Sequence, residues 1–322
     1  MQIVRYQPEH AEEWNAFVKA SKNGTFLIDR RYMDYHQERF NDHSLMFFDD
    51  QRLLAVLPAH VEGDTFYSHQ GLTYGGLIMS EQCTAKTVCN IFEALNGYLY
   101  HAGINRVVYK AIPHIYHRQP SEEDLYALFR ICKARLISRD VASVIRTADA
   151  AKWHRDRRYA ANKSHTNGIL VDKCDDYGVF WPILRDNLQR TYGAEPVRSL
   201  EEIERLHALF PDNIRLFVAR KSDGTPLAGT VLYVTPKVVH AQYISASPEG
   251  KRLHAVDALY DRIIRHDFAQ WPYIDFGKSS EEDGHVLNET LIWQKEGFGA
   301  RAVCYDKYEW GISEISDIKK YI

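Results

Sequence analysis

An order of three strands, a loop, a helix, a strand, a helix and a strand occurs twice along this chain, and the repeat limits the fold more than any single motif. In the first half, apolar runs at residues 45–48, 53–61 and 65–69 are separated by Asp49-Asp50-Gln51 and Gly63-Asp64, which predicts a three-strand meander. The glycine-rich segment from Gln70 to Gly76 follows. A helix with Val88, Ile91, Phe92, Leu95 and Leu99 on one face then stops at Gly103. A strand at 106–112, a helix opened by the capping-box-like Ser121-Glu122-Glu123-Asp124 and carrying Leu125, Leu128 and Phe129, and a strand at 136–145 close the half. The second half has helices at 180–190 and from Ser199 to Phe210, then a meander at 216–219, 227–235 and 238–246 joined by Ser222-Asp223-Gly224 and Pro236-Lys237. A loop with Pro248 and Gly250 leads to a helix carrying Val256, Leu259, Ile263 and Phe268. A strand at 273–276, a helix with Val286, Leu287, Leu291 and Ile292 on its apolar side, and a last strand reaching Trp310 complete the order. Residue identity between the halves is low, so the order of elements carries the inference. The expected fold is α/β (α+β layered): two duplicated units at 1–150 and 151–322, each a mixed, mostly antiparallel sheet flanked by helices, with a linker at about 147–170.

Length and composition suit two ordinary domains. The 322 residues are 45% hydrophobic, enough for two cores, and a net charge of −3 argues against coating nucleic acid, DNA included, or an anionic membrane by charge alone, while leaving room for a local basic patch. The five cysteines, Cys83, Cys89, Cys132, Cys174 and Cys304, are scattered with no CxxC pair, which argues against a disulfide framework or a thiolate metal site. No apolar leader and no run of 18 apolar residues occurs, so a cytoplasmic protein without a membrane span is expected. No Ser-His-Asp order, Walker loop, HExxH or metal-ligand spacing is present, and the hydrolase, NTPase and zincin classes fall away.

The stretch from Tyr273 to Trp310 concentrates the chemistry. Asp275 alternates with Ile274 and Phe276 inside a strand, and a carboxylate there is either exposed or partnered. Asp275-Phe276-Gly277, followed by Gly284, Leu287-Asn288, Lys295-Glu296, Phe298-Gly299 and Tyr305, resembles the C-terminal signature of a bacterial acyltransferase-like family. That family belongs to the GNAT superfamily and is similar to the Fem-type aminoacyltransferases that build peptidoglycan cross-bridges. Upstream, Asn23-Gly24-Thr25-Phe26-Leu27 and Asp42-His43-Ser44 support the resemblance, which covers most of the chain. It implies a tandem pair of GNAT-like units, each with its fourth and fifth strands splayed to admit an extended ligand.

What the resemblance implies about donors is divided. Superfamily members that bind acetyl-CoA or another acyl-CoA cradle its pyrophosphate on a glycine-rich turn at a helix N-terminus. Here the corresponding segment, Ser245-Ala246-Ser247-Pro248-Glu249-Gly250, departs from that pattern, because Pro248 lacks a donor and Glu249 repels phosphate. Fem-type enzymes lack the turn as well and take aminoacyl-tRNA. Both donors stay open.

The expected catalytic candidates are Asp275, Tyr243 and His69, set against structural roles for each. Lys278, Ser279 and Asn288 in the second half, with Gln70, Tyr74, Gly75 and Lys110 in the first, are the candidates for binding substrate or cofactor, and no metal ligands are assigned. Asn288 reads equally as a helix cap, and Lys295 with Glu296 as a surface pair. The basic run of Lys152, Arg155, Arg157, Arg158 and Lys163, interleaved with Trp153 and Tyr159, reads as a solvated helical face or as a contact for tRNA phosphates. The expected function is N-acyltransfer of an acyl or aminoacyl group to an amine of a small molecule or cell-envelope precursor. The rival is a non-catalytic binding protein that recognises a peptide or glycan precursor.

Overall fold

The computed structural model of the chain describes residues 1–36 and 39–314. The fold has two compact units that share the chain unevenly. The first holds Met1–Val141, Ser280–Val286 and Cys304–Ile322, and the second Ala142–Ser279 and Leu287–Val303.

In the first unit, β1 (Gln2–Arg5), α1 (Ala11–Ala20) and α2 (Arg30–Met33) lead to β2 (Leu45–Asp49) and β3 (Arg52–Leu57). The single strand expected at 53–61 is two strands, because Pro58 has no N–H for a ladder and ends β3. The chain resumes as β4 (His60–Glu62) and β5 (Thr65–Tyr67), and it enters a different sheet. The three-strand meander expected here is therefore two hairpins: β2–β3 lies between β1 and β6 (Ile78–Met79), whereas β4–β5 continues into β7 (Arg106–Lys110). Helix α3 (Ala85–His101) buries Val88, Ile91, Phe92, Leu95 and Leu99 as its period predicts. Helix α4 (Glu123–Arg130) departs from expectation twice. Ser121 gives its hydroxyl to Gln119 O at 2.8 Å and caps nothing, and Phe129 is exposed. The long strand β8 (Arg135–Arg146) ends the first half.

The second unit takes the end of β8 from Ala142 and then forms a helix in the stretch read as a linker. Helix α5 (Arg155–Thr166) turns Ala160, Ala161 and Ser164 inward. After it come β9 (Leu170–Cys174), α6 (Trp181–Tyr192) and α7 (Leu200–Leu209), the last opened by the capping box Ser199–Glu202. The expected meander forms as β10 (Ile214–Arg220), β11 (Pro226–Val234) and β12 (Val238–Ala246), antiparallel throughout. Next are α8 (Pro248–Arg252), α9 (Ala255–Arg262) and β13 (Tyr273–Lys278), which pairs parallel with β12 and antiparallel with β8 residues 142–146. Short β14 (Ser280–Glu281) and β15 (Val286–Leu287) precede α10 (Glu289–Glu296) and β16 (Arg301–Gly311).

The helix expected from Val286 starts three residues later. Val286 and Leu287 are extended and exposed, so they give α10 no apolar face. Each unit has its own core: Phe47, Phe66, Phe92 and Trp310 in the first, Leu232, Tyr260, Phe276 and Phe298 in the second. Each also contains a parallel strand pair, β5–β7 and β12–β13.

Candidate active site

The parallel pair of the second unit is short. Strands β12 and β13 join through Val238↔Tyr273, Val239↔Ile274 and His240↔Asp275, and no ladder bond links them beyond that point. Two irregularities part them. On β12 the ladder to β11 slips between Leu232↔Ala241 and Val231↔Tyr243, leaving Gln242 as a bulge. On β13 the ladder to β8 slips between Asp275↔Val144 and Lys278↔Ala142, where Gly277 takes φ 72°. A side chain at Gly277 would be strained by that φ and would also sit 3.3 Å from His240 Cε1. The result is an opening with unladdered strand edges, the kind of surface an extended ligand can join.

At the apex of the opening lies a fully buried carboxylate. Asp275 is 0% exposed; its Oδ2 accepts from His240 Nδ1 at 2.8 Å and its Oδ1 from the Gly277 N–H at 2.7 Å. These bonds offset the cost of burying the charge. With Asp275 ionised, its carboxylate only accepts, which places the imidazole proton on Nδ1 and leaves the lone pair of a neutral ring on Nε2.

A buried ammonium completes the group. Lys295, 8% exposed, donates to Gly277 O at 3.0 Å and Lys278 O at 2.6 Å. Burial lowers its pKa to about 8, against the opposing attraction of Asp275. The expectation of a surface Lys295–Glu296 pair is corrected: Lys295 is the one buried residue of α10. Lys278, the last residue of β13, is exposed, and the next residue, Ser279, is buried with no hydrogen-bond partner for its hydroxyl among the described residues.

The other expected residues fall as follows. Tyr243, past the split on β12, packs edge-on against Trp181 at 5.5 Å. Asn288 is the N-cap of α10, its side chain accepting from Leu291 N at 3.0 Å. Asn288→Ala should cost about 1 kcal/mol in a thermal melt, with Asn288→Asp retaining the stability. A raised KM in the alanine variant would instead reveal a ligand contact.

The first-half candidates gather in the first unit, around a parallel pair that its own loop stitches shut. Past Tyr67↔Val108, Ser68 Oγ accepts from Lys110 N at 2.7 Å and Gly75 N donates to Lys110 O at 3.3 Å. The Lys110 ammonium spans Gln70 O and Leu72 O at 2.8 and 2.9 Å. Tyr74 is buried on Thr25 Oγ1 at 3.1 Å and against Tyr116, and a Cβ on Gly75 would meet Ser68 O at 2.3 Å. His69, also buried, takes φ 57° and packs beside Phe40 and His60.

The turn after β12 fits a pyrophosphate poorly. The Ser247 N–H is bound to Leu227 O, Pro248 has none, the Gly250 N–H is taken by Ser247 Oγ at 3.0 Å, and the Lys251 N–H by Ser247 O. Glu249 adds a carboxylate, paired with Lys221. A cradle needs several convergent free amides, and three of this turn's are already bonded, to Leu227 O and to Ser247 itself. Among the described residues no cluster of three or more His, Cys, Asp or Glu could hold a metal ion. No helix there is long and apolar enough to cross a membrane.

The His240–Asp275 pair was missed in the sequence because the residues are 35 positions apart and parallel register is not written in either strand. Lys295 had a weak signal: it sits in a helix with few aliphatic residues to bury.

Residues 150–283 match the family model described as an acetyltransferase (GNAT) domain. No curated protein is significantly similar to the chain in sequence. Among solved structures, FemX superposes with a TM-score of 0.68 at 11% identity, covering 97% of each chain. A conserved protein of unknown function from Bacteroides thetaiotaomicron VPI-5482 gives 0.59 at 11% identity, over 97% of this chain and 99% of that one. L-PGS from Bacillus licheniformis gives 0.57 at 12% identity, over 94% and 91%. At these identities the likeness establishes the fold.

Proposed function

We propose that this GNAT-type chain, similar in fold to FemX, is an acyltransferase whose second unit moves an acyl or aminoacyl group from an ester donor to an amine. The observation that carries the reading is the buried Asp275–His240 pair beside Lys295 at the point where β12 and β13 part. Asp275 holds the proton on His240 Nδ1, so Nε2 is the base. As the neutral acceptor amine attacks the donor carbonyl and the C–N bond forms, Nε2 takes a proton from the attacking nitrogen. The carbonyl oxygen becomes an oxyanion, which the Lys295 ammonium stabilises with the N–H left over from its two carbonyl bonds. The C–O bond then breaks, and the imidazolium returns the proton to the leaving oxygen.

The donor favoured is an aminoacyl ester of tRNA over acetyl-CoA, because the Ser247, Gly250 and Lys251 N–H groups of the turn are already bonded and Pro248 has none. The acceptor class follows the Fem-type resemblance: an amine on a small molecule or a cell-envelope precursor. The test supplies radiolabelled aminoacyl-tRNA or acetyl-CoA with a panel of amines and measures amide formed. Amide from the aminoacyl ester is expected. Acetyl-CoA at millimolar concentration should leave the melting curve unmoved, whereas saturation at 100 times Kd would add about 2.7 kcal/mol. Amide from acetyl-CoA would reverse the donor. No amide from either would leave a binding module for a peptide or glycan precursor.

A further inference from the structure

We propose that the outward face of α5 is a docking surface for RNA, an inference that rests on the reading of an RNA ester as donor. At 100° per residue, Arg157, Ala160, Ala161 and Ser164 fall on one side of the helix and Arg155, Arg158, Tyr159, Asn162, Lys163 and Thr166 on the other. The first set is buried or half-buried, and the second is exposed throughout. The inner side is fixed firmly. Arg157 pairs with Asp257 at 2.9 Å and lies over the Phe298 ring at 4.8 Å, while the His154 N–H binds Gly297 O at 2.9 Å. Gly297 is two residues beyond Lys295, so α5 is tied to the helix that carries the ammonium of the proposed site.

The outer side has an unusual charge balance. Exposed arginines elsewhere in this chain, such as Arg139, Arg146 and Arg262, meet carboxylates at Asp306, Asp149 and Asp267. Arg155, Arg158 and Lys163 meet none among the described residues, and Asp156 is the helix's one acid. A solvated helical face ordinarily intersperses both signs. Between these cations stands Tyr159, 65% exposed, and beside the helix start Trp293, 53% exposed with its ring 6.0 Å from that of His154. Cations spaced along a helix suit successive phosphates, and exposed rings suit the stacking of unpaired bases. The apolar side of α5 is already spent on its own unit, and its exposed face carries Asn162 and Thr166 in place of aliphatic side chains, which favours RNA over a lipid surface.

The experiment measures fluorescence anisotropy of bulk deacylated tRNA and of an RNA hairpin with a single-stranded 3′ extension, with phosphatidylglycerol vesicles as a further probe. The triple variant Arg155→Glu, Arg158→Glu, Lys163→Glu should bind tRNA at least about tenfold more weakly. The slope of log K against log salt should fall by about 0.7 to 0.9 per lost phosphate contact. Tyr159→Ala should weaken the extended hairpin about tenfold and a blunt hairpin little. Melting curves and the single variants guard against misfolding. Absence of RNA binding by the native chain, unchanged affinity in the triple variant, or preference for vesicles would each overturn the surface. The two readings fail separately. RNA bound through α5 with no ester consumed would remove the donor assignment and keep the surface. Ester consumed by the triple variant at native KM would do the reverse.

Discussion

Replacing Lys295 with Met is expected to lower kcat for amide formation by about 10²- to 10³-fold, the loss typical of removing one oxyanion donor. The side chains are of similar length, so packing changes little, and the lost element is the ammonium on Gly277 O and Lys278 O. Lys295→Arg should not restore activity, because a planar guanidinium does not reproduce three donors on one atom. The pKa of about 8 adds a pH signature. The ammonium is the active form, so activity should fall as pH rises through 8. Stability moves the other way. The folded pKa lies below the ordinary value of 10.5, so the cost of burying the charge is fully present below pH 8 and is relieved between 8 and 10.5. Over that window the native chain should gain stability relative to Lys295→Met, as thermal melts at pH 7.5 and 10 would register. A constant difference across the window would remove the buried ammonium from the account.

Asp275→Asn should reduce kcat/KM by about 10²- to 10⁴-fold with a modest change in KM. The reason is one of donor and acceptor count. Asp275 Oδ1 accepts from the Gly277 N–H and Oδ2 faces His240 Nδ1. An amide has one acceptor oxygen; given to Gly277, it leaves NH₂ facing Nδ1. The proton then moves to Nε2, and the base lone pair is lost. Nitrogen chemical shifts of His240 should report that change of tautomer. Native shifts in the variant would contradict the role given to Asp275.

The second half of the chain was legible where local signals agree. Alternating runs joined by Ser222-Asp223-Gly224 and Pro236-Lys237 gave β10 to β12 in the expected antiparallel order. The first half misled because hydrophobic alternation continues across Pro58, although the missing N–H sends the chain to a second sheet. Asp275 stood out as a carboxylate within a strand. Its partner could not be named, because parallel register between residues 238–240 and 273–275 depends on the whole unit. Lys295 defeated residue-type reasoning: lysine is among the least buried residues, and only the carbonyls released by the Gly277 bulge make its burial tolerable. Tyr74, Gly75 and Lys110 looked like a binding loop by composition. In the fold, Lys110 and Gly75 draw that loop onto β7, and Tyr74 is buried on Thr25 and Tyr116.

The central claim is that acyl transfer belongs to the opening between β12 and β13, and the most direct measurement is single-turnover amide formation from aminoacyl-tRNA in four proteins. These are the native chain, His240→Ala, Lys295→Met and, as a control in the first unit, His69→Ala, each checked by melting. The account predicts loss of turnover by about 10²-fold or more in the first two variants and a native rate in the third. Native rates in His240→Ala and Lys295→Met, with loss in His69→Ala, would contradict it and move the chemistry to the first unit.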